Sequence, residues 1–285
     1  MSADDVSAIV RDAVASGHGL RVRGAGTWMP PHAGGREAAL DVLDLSALGG
    51  VHEYTPGDLT ISVGAGMTIA ELDDLTRAHG QWCPLAPWGD DRGTVGATIS
   101  TATAGPFAQA LGRPRDLAIG LECVDGTGRI IRAGGRVVKN VAGFDLTRLM
   151  TGQWGTLGVI TAVNLRLRAR PAVDESWTLT TMPGEDDEVR TFARGPYAPI
   201  GCLRTGEGKW LLRIGGNRTF VDASLEQAGM LGMCERADAA EWAVARRELA
   251  PATRLGEWRW GTLSLRLKAS FDPHGVLNPR LLESA

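Results

Sequence analysis

The sequence predicts an α+β fold, and three observations predict it. Two helices announce themselves with capping boxes, at Ser2 with Asp5 and at Thr68 with Glu71. Two apolar runs, 117–124 and 129–132, read as a hairpin across Asp125-Gly126-Thr127-Gly128. The stretch 134–171 joins a glycine-punctuated helix to a strand. That strand places Val159, Thr161, Val163, Leu165 and Leu167 on one face and Ile160, Ala162, Asn164 and Arg166 on the other.

Taken in order, Val6, Ile9, Val10, Ala13 and Val14 recur at helical spacing, and Gly17 and Gly19 end that first helix. Segments 20–23, 40–45 and 59–63 read as short strands. The helix that starts at Thr68 carries the stripe Ile69, Leu72 and Leu75. Residues 84–105, rich in small and hydroxyl side chains, predict a long loop with short helical or extended pieces. Arg170 and Pro171 mark a boundary, followed by strands at 177–181 and 210–214 and helices at 186–194, 221–231 and 239–249. A last helix spaces Leu263, Leu267 and Phe271 four apart, ahead of an irregular tail at 272–279. The expected division is 1–170, itself split near 50–90, then a small cap at 171–270 and a tail at 271–285.

At 285 residues and 44% hydrophobic, the chain can bury a substantial core. Its net charge of −3 supplies no basic field for nucleic acid or an anionic membrane. No apolar run reaches the length of a membrane span, and the amino terminus lacks a signal-peptide pattern, so a cytoplasmic setting is expected. Any membrane association would come through partner subunits. Cys83, Cys123, Cys202 and Cys234 lie dozens of residues apart without metal-ligand spacing, so no metal site is expected.

Glycine loops carry the chemistry. Arg23-Gly24-Ala25-Gly26-Thr27 follows a strand, and its consecutive amides can form a nest for phosphate oxygens or a plain tight turn. Gly93-Thr94-Val95-Gly96 is followed by Thr98, Ser100, Thr101 and Thr103, a density of hydroxyls and amides that suits a pyrophosphate or the polar edge of an isoalloxazine. Gly64-Ala65-Gly66 mimics a dinucleotide turn, but Ile69 stands where the third glycine of G-x-G-x-x-G belongs, and the Rossmann reading is discounted.

Together with Val138-Lys139-Asn140-Val141-Ala142-Gly143-Phe144-Asp145, Gly155-Thr156-Leu157-Gly158-Val159-Ile160, and the tail from Phe271-Asp272-Pro273 to Asn278-Pro279, these loops resemble the FAD-binding domain of the vanillyl-alcohol oxidase / p-cresol methylhydroxylase family. Within it, the chain most resembles the FAD-binding E subunit of bacterial glycolate oxidase. The resemblance implies an α+β FAD-binding domain of two subdomains with a reduced cap. It also implies that Arg23–Thr27 and Gly93–Gly96 hold the pyrophosphate through backbone amides, and that Thr98, Ser100, Thr101 and Gly105 run beside the ribityl chain and flavin. Gly158, Val159 and Ile160 would meet the adenine side, and Asn278 would return toward the flavin. Where some relatives tether FAD through His or Cys, the first loop continues to Trp28 and Met29, so noncovalent FAD is expected.

The cap lacks the H-x-x-G-D-G-N segment of catalytic relatives, and His18, His32, His52, His79 and His274 are isolated. Lys139 and Asn140 are candidates for the flavin edge, Arg113 and Arg115 for an anion, Trp88 and Trp154 for ring stacking, and Trp258 and Trp260 for a partner surface; each also has an ordinary surface or core explanation. The expected function is therefore an FAD-binding subunit of a 2-hydroxy-acid (glycolate) oxidase complex, beside a catalytic flavoprotein subunit and an iron–sulfur subunit. A self-sufficient FAD oxidoreductase and a structural subunit with a decayed flavin site stay open.

Overall fold

The structure, a computed structural model, describes residues 1–27, 40–135, 145–249 and 261–279. In chain order the elements are α1 (Ala3–Ser16), β1 (Gly19–Arg23), β2 (Leu40–Asp44), β3 (Val51–Thr55), β4 (Thr60–Gly64), α2 (Ile69–Arg77), β5 (Gln81–Trp82), α3 (Val95–Thr101), α4 (Ala108–Leu111) and α5 (Pro114–Leu117). Then come β6 (Ala118–Asp125), β7 (Ile130–Gly134), α6 (Leu146–Met150), β8 (Gly158–Arg166) and β9 (Arg168–Ala169). The last group is β10 (Val173–Thr180), α7 (Asp186–Phe192), β11 (Gly201–Gly206), β12 (Lys209–Gly216), α8 (Arg218–Gly229), β13 (Met233–Arg236), α9 (Ala240–Glu248) and α10 (Thr262–Phe271).

Both capping boxes form: Ser2 accepts from the Asp5 amide and Thr68 from the Glu71 amide, with each carboxylate reaching back. They satisfy helix-end donors that would otherwise need water. The predicted hairpin also forms, as the antiparallel pair β6 and β7. Buried Asp125 fixes its turn by accepting from the Thr127 and Arg129 amides at 2.9 and 3.0 Å.

Strands β3-β4-β8-β6-β7 make an antiparallel sheet with β8 at its centre. Two cores cover its faces. Leu121, Cys123, Ile160, Val163 and Leu165 join α2 and α3 residues Leu72, Val95 and Ile99 in one. Val124 and Val159 join α1 residues Val6 and Val10 and the tail residues Val276 and Leu277 in the other. The strict alternation expected for β8 fails at one residue. The register runs Glu122↔Ala162 and then Cys123↔Ile160, so Thr161 is a bulge. A one-residue shift reverses every side chain beyond it. Ile160 consequently shares a core with Val163, while Val159 crosses to the opposite one.

Parallel β1 and β2 pack beside this sheet, and Leu20 bridges to Leu277 of the tail. The Gly64–Gly66 turn has a purely structural explanation. Gly66 donates to the Leu48 carbonyl at 2.8 Å, and side chains at Gly64 or Gly66 would collide with the carbonyls of Leu48 and Leu45.

A second antiparallel sheet, β11-β12-β10-β13, follows β9. One face packs Leu179, Trp210, Leu212 and Ile214 against Val189 of α7 and Val221 of α8. The other turns Leu203 and Leu211 toward Trp82, Phe107 and Trp242. Arg213 joins that second face, lying over the Phe107 ring at 5.0 Å while paired with Asp174. In α10, Leu263 and Leu265 are 71% and 54% exposed, and the buried side chain is instead Lys268.

Candidate functional site

The two predicted glycine loops face each other. A side chain at Gly24 would run into the Thr94 hydroxyl, and one at Gly93 would lie 3.1 Å from the Thr27 hydroxyl. Glycine at these positions is what lets the loops close on one another. Their amides differ in availability. Gly93 donates to the Asp90 carbonyl at 3.1 Å, Val95 to Met67 at 2.8 Å and Gly96 to Ala65 at 2.8 Å. The amides of Gly24, Ala25, Gly26 and Thr27 donate to no other described residue, and Ala25 to Thr27 are exposed. A turn whose amides donate to no other described residue is chemically able to take anionic oxygens, and the buried 93–96 segment packs against it.

Arg23, just before the turn, pairs with Asp44 at 2.5 Å. That hydrogen bond, helped by the Ser46 amide, holds the Asp44 carboxyl down to about 2. The hydroxyls counted in the sequence have local partners: Thr98 donates to the Thr94 carbonyl, Thr101 to Ala97, and Thr94 accepts from the Ala97 amide as the cap of α3. These are helix-forming roles. Gly105 allows close packing on the Ala86 carbonyl.

The 152–158 turn meets the same region. Gly152 and Trp154 donate to the carbonyls of Ile99 and Ser100 at the end of α3, at 3.0 and 2.8 Å. Gln153, which the sequence reading missed, is buried. Its Oε1 accepts from the Leu157 amide at 2.7 Å, and its Nε2 donates to the Gly158 carbonyl at 2.8 Å and to Ser100 Oγ at 3.2 Å. This side chain bends the chain into β8. Gly158, Val159 and Ile160 pair with β6 but extend past β4, whose ladder ends at Gly64↔Ala162.

Asn278 closes the ring of segments. Its Oδ1 accepts from the Val22 amide at 2.8 Å and its Nδ2 donates to the Trp154 carbonyl at 2.7 Å, which ties the tail to the strand feeding the 24–27 turn. Lys268 anchors the tail from beneath, donating to Asp272 and to the carbonyls of Thr156 and Leu277 at 2.8 and 2.9 Å. Burial holds the Lys268 ammonium below the usual lysine range, partly offset by Asp272. Nothing in the spacing of Leu263, Leu267 and Phe271 signals this lysine; its i, i+4 position before Asp272 is the only hint.

Other predicted residues lie apart or beyond description. Arg113, Arg115 and His274 are exposed. Trp88 is half-buried against the Trp82–Phe107–Trp242 cluster. His32, Lys139, Asn140, Trp28, Met29, Trp258, Trp260 and residues 138–144 of the quoted motif lie outside the described residues. Among the described residues no cluster of His, Cys, Asp and Glu could hold a metal ion, and no helix is long and apolar enough to cross a membrane.

Residues 1–134 match the family described as an FAD binding domain. The chain carries an FAD-binding domain. The glycolate oxidase subunit GlcE of Escherichia coli is 34% identical over 198 residues, which cover 68% of this chain and 56% of that protein. The glycolate oxidase subunit GlcD of Bacillus subtilis is 33% identical over 302 residues, covering 97% of this chain and 63% of that protein. A D-lactate dehydrogenase of Archaeoglobus fulgidus is 35% identical over 167 residues, 58% of this chain and 37% of that protein. The chain thus spans less than two thirds of the length of each of these relatives. A solved structure of alkyldihydroxyacetonephosphate synthase superposes with a TM-score of 0.70 over 87% of this chain and 55% of that one, at 15% identity. The FAD-binding domain therefore has the p-cresol methylhydroxylase-type fold.

Proposed function

We propose that this chain is the FAD-binding subunit of a 2-hydroxy-acid (glycolate) oxidase or dehydrogenase complex, holding noncovalent FAD beside a separate catalytic flavoprotein and an iron–sulfur subunit. The observation that carries the FAD role is the open 24–27 turn, walled by Gly93 and Thr94. In this reading the amides of Gly24 to Thr27 take the pyrophosphate, with Arg23 held beside them by Asp44. Thr94, Val95 and Gly96 shape the wall, and Thr98, Ser100 and Thr101 order α3 beside the flavin. Gly158, Val159 and Ile160 offer backbone at the end of β4 to the adenine side, and Asn278 locks the tail over the joint. FAD bound there would supply two-electron acceptance and onward electron transfer.

Noncovalent attachment agrees with the thiols: burial pushes Cys83, Cys123 and Cys202 up to about 12 and raises Cys234 as well, which disfavours the reactive thiolate. Dependence on a partner rests on the second sheet. We take 171–270 as a reduced cap; among its described residues Arg213, Glu175 and Arg246 are each paired with opposite charges, and no histidine occurs in it. An acid–base pair for a hydroxy acid needs a group placed to take the hydroxyl proton and a cation placed for the carboxylate; cations of this region outside those pairs, such as Arg194 and Lys209, are exposed instead. Affinity purification of the tagged chain from its own cells tests the assembly. The expected result is a second FAD-binding protein of the glycolate oxidase or D-lactate dehydrogenase kind in fixed ratio, with glycolate-driven dye reduction by the assembly. A chain that purifies alone and reduces dye with glycolate unaided overturns it.

A further inference from the structure

Trp154 holds φ +56, the left-handed region that bulky side chains disfavour. Its backbone is pinned on both sides, by the 2.8 Å bond from its amide to Ser100 and the 2.7 Å bond to its carbonyl from Asn278. The core does not explain the indole. Trp82, Trp88, Trp177, Trp210 and Trp242 all belong to buried clusters or pack against them, whereas half-buried Trp154 joins none among the described residues. Its Nε1 donates to no described residue either.

Its location supplies a reason. A side chain at the neighbouring Gly155 would lie 3.4 Å from Val22, the residue ahead of Arg23 and Gly24. The indole therefore leaves the backbone where the end of α3, the strand feeding the 24–27 turn and the tail converge. Strained residues fixed by their surroundings collect at ligand sites.

We propose that the Trp154 indole stacks on a planar ring of bound FAD, and that this contact is what keeps a tryptophan at a position suited to glycine. The proposal rests on the FAD reading above. Trp154→Gly and Trp154→Asn accept positive φ, and Trp154→Phe keeps a ring. The readouts are FAD affinity of the purified apo chain by flavin titration, fluorescence of the bound flavin, ADP affinity by calorimetry and the melting temperature of the apo chain. The Gly and Asn variants are expected to melt at or above the parent's temperature while binding FAD about 5- to 150-fold more weakly, the range for loss of one base–aromatic stack. The Phe variant stays within several-fold of the parent. A rise in bound-flavin fluorescence on losing the indole assigns the stack to the isoalloxazine; a parallel fall in ADP affinity assigns it to adenine. Unchanged FAD affinity in the Gly variant overturns the proposal, as does a drop in affinity that tracks a drop in apo melting and is not rescued by Phe. A parent chain that binds no FAD overturns the underlying reading instead.

Discussion

Gln153 is the side chain on which the entry to β8 depends, because it satisfies the Leu157 amide and the Gly158 carbonyl where that strand begins. Gln153→Ala leaves the buried Leu157 amide and Gly158 carbonyl without these partners, and should cost about 2–3 kcal/mol, measured by urea denaturation. Asp44 gives a pH dependence whose sign is fixed. Its carboxyl sits at about 2 when folded against 3.8 as a free side chain, so its stabilisation is present above about pH 4 and disappears as pH falls toward 2. The size is modest, since Arg23 and Asp44 are 44% and 39% exposed. The melting-temperature difference between the parent and Asp44→Asn should therefore shrink between pH 5 and pH 2. At this scale the sequence exposed glycines well, because close backbone approach excludes any side chain. It exposed Gln153 and Lys268 poorly, because a buried amide or ammonium is specified by distant carbonyls that leave no local pattern.

Capping boxes and the 118–134 hairpin were legible because both are local, with every partner within a few residues. The strand β3, His-Glu-rich and exposed, and the four-residue β13 were not, since pairing with β4 and β10 rather than periodicity makes them strands. The Thr161 bulge was hidden for a related reason: β8 is apolar on both faces near its start, so either phase of alternation reads equally well. Between elements, the Lys268–Asp272 pair fastens α10 to the tail and to the 155–157 turn. Lys268→Met leaves Asp272 buried without its cation and should cost about 3–5 kcal/mol. Thermal unfolding monitored by circular dichroism checks this, with a fall in FAD affinity expected alongside, since the tail also carries Asn278.

Across the whole molecule, Arg246 of α9 is the clasp between the second sheet's helices and the loop before α3. Buried, it donates to the Pro87 carbonyl at 2.6 Å and to Asp91 at 2.7 Å. Arg246→Ala should destabilise by about 2–3 kcal/mol through the carbonyl and carboxylate it leaves unpaired, and should open the 84–93 loop to limited proteolysis. That clasp, with the Trp82–Phe107–Trp242 packing, holds the small second sheet against the FAD-binding domain. The most direct test of a chain that holds FAD but depends on a partner for oxidation is anaerobic titration of the purified, FAD-loaded chain with glycolate and D-lactate. The account predicts a bound-flavin absorbance spectrum that neither acid bleaches; bleaching by either acid in the absence of any other protein would contradict it.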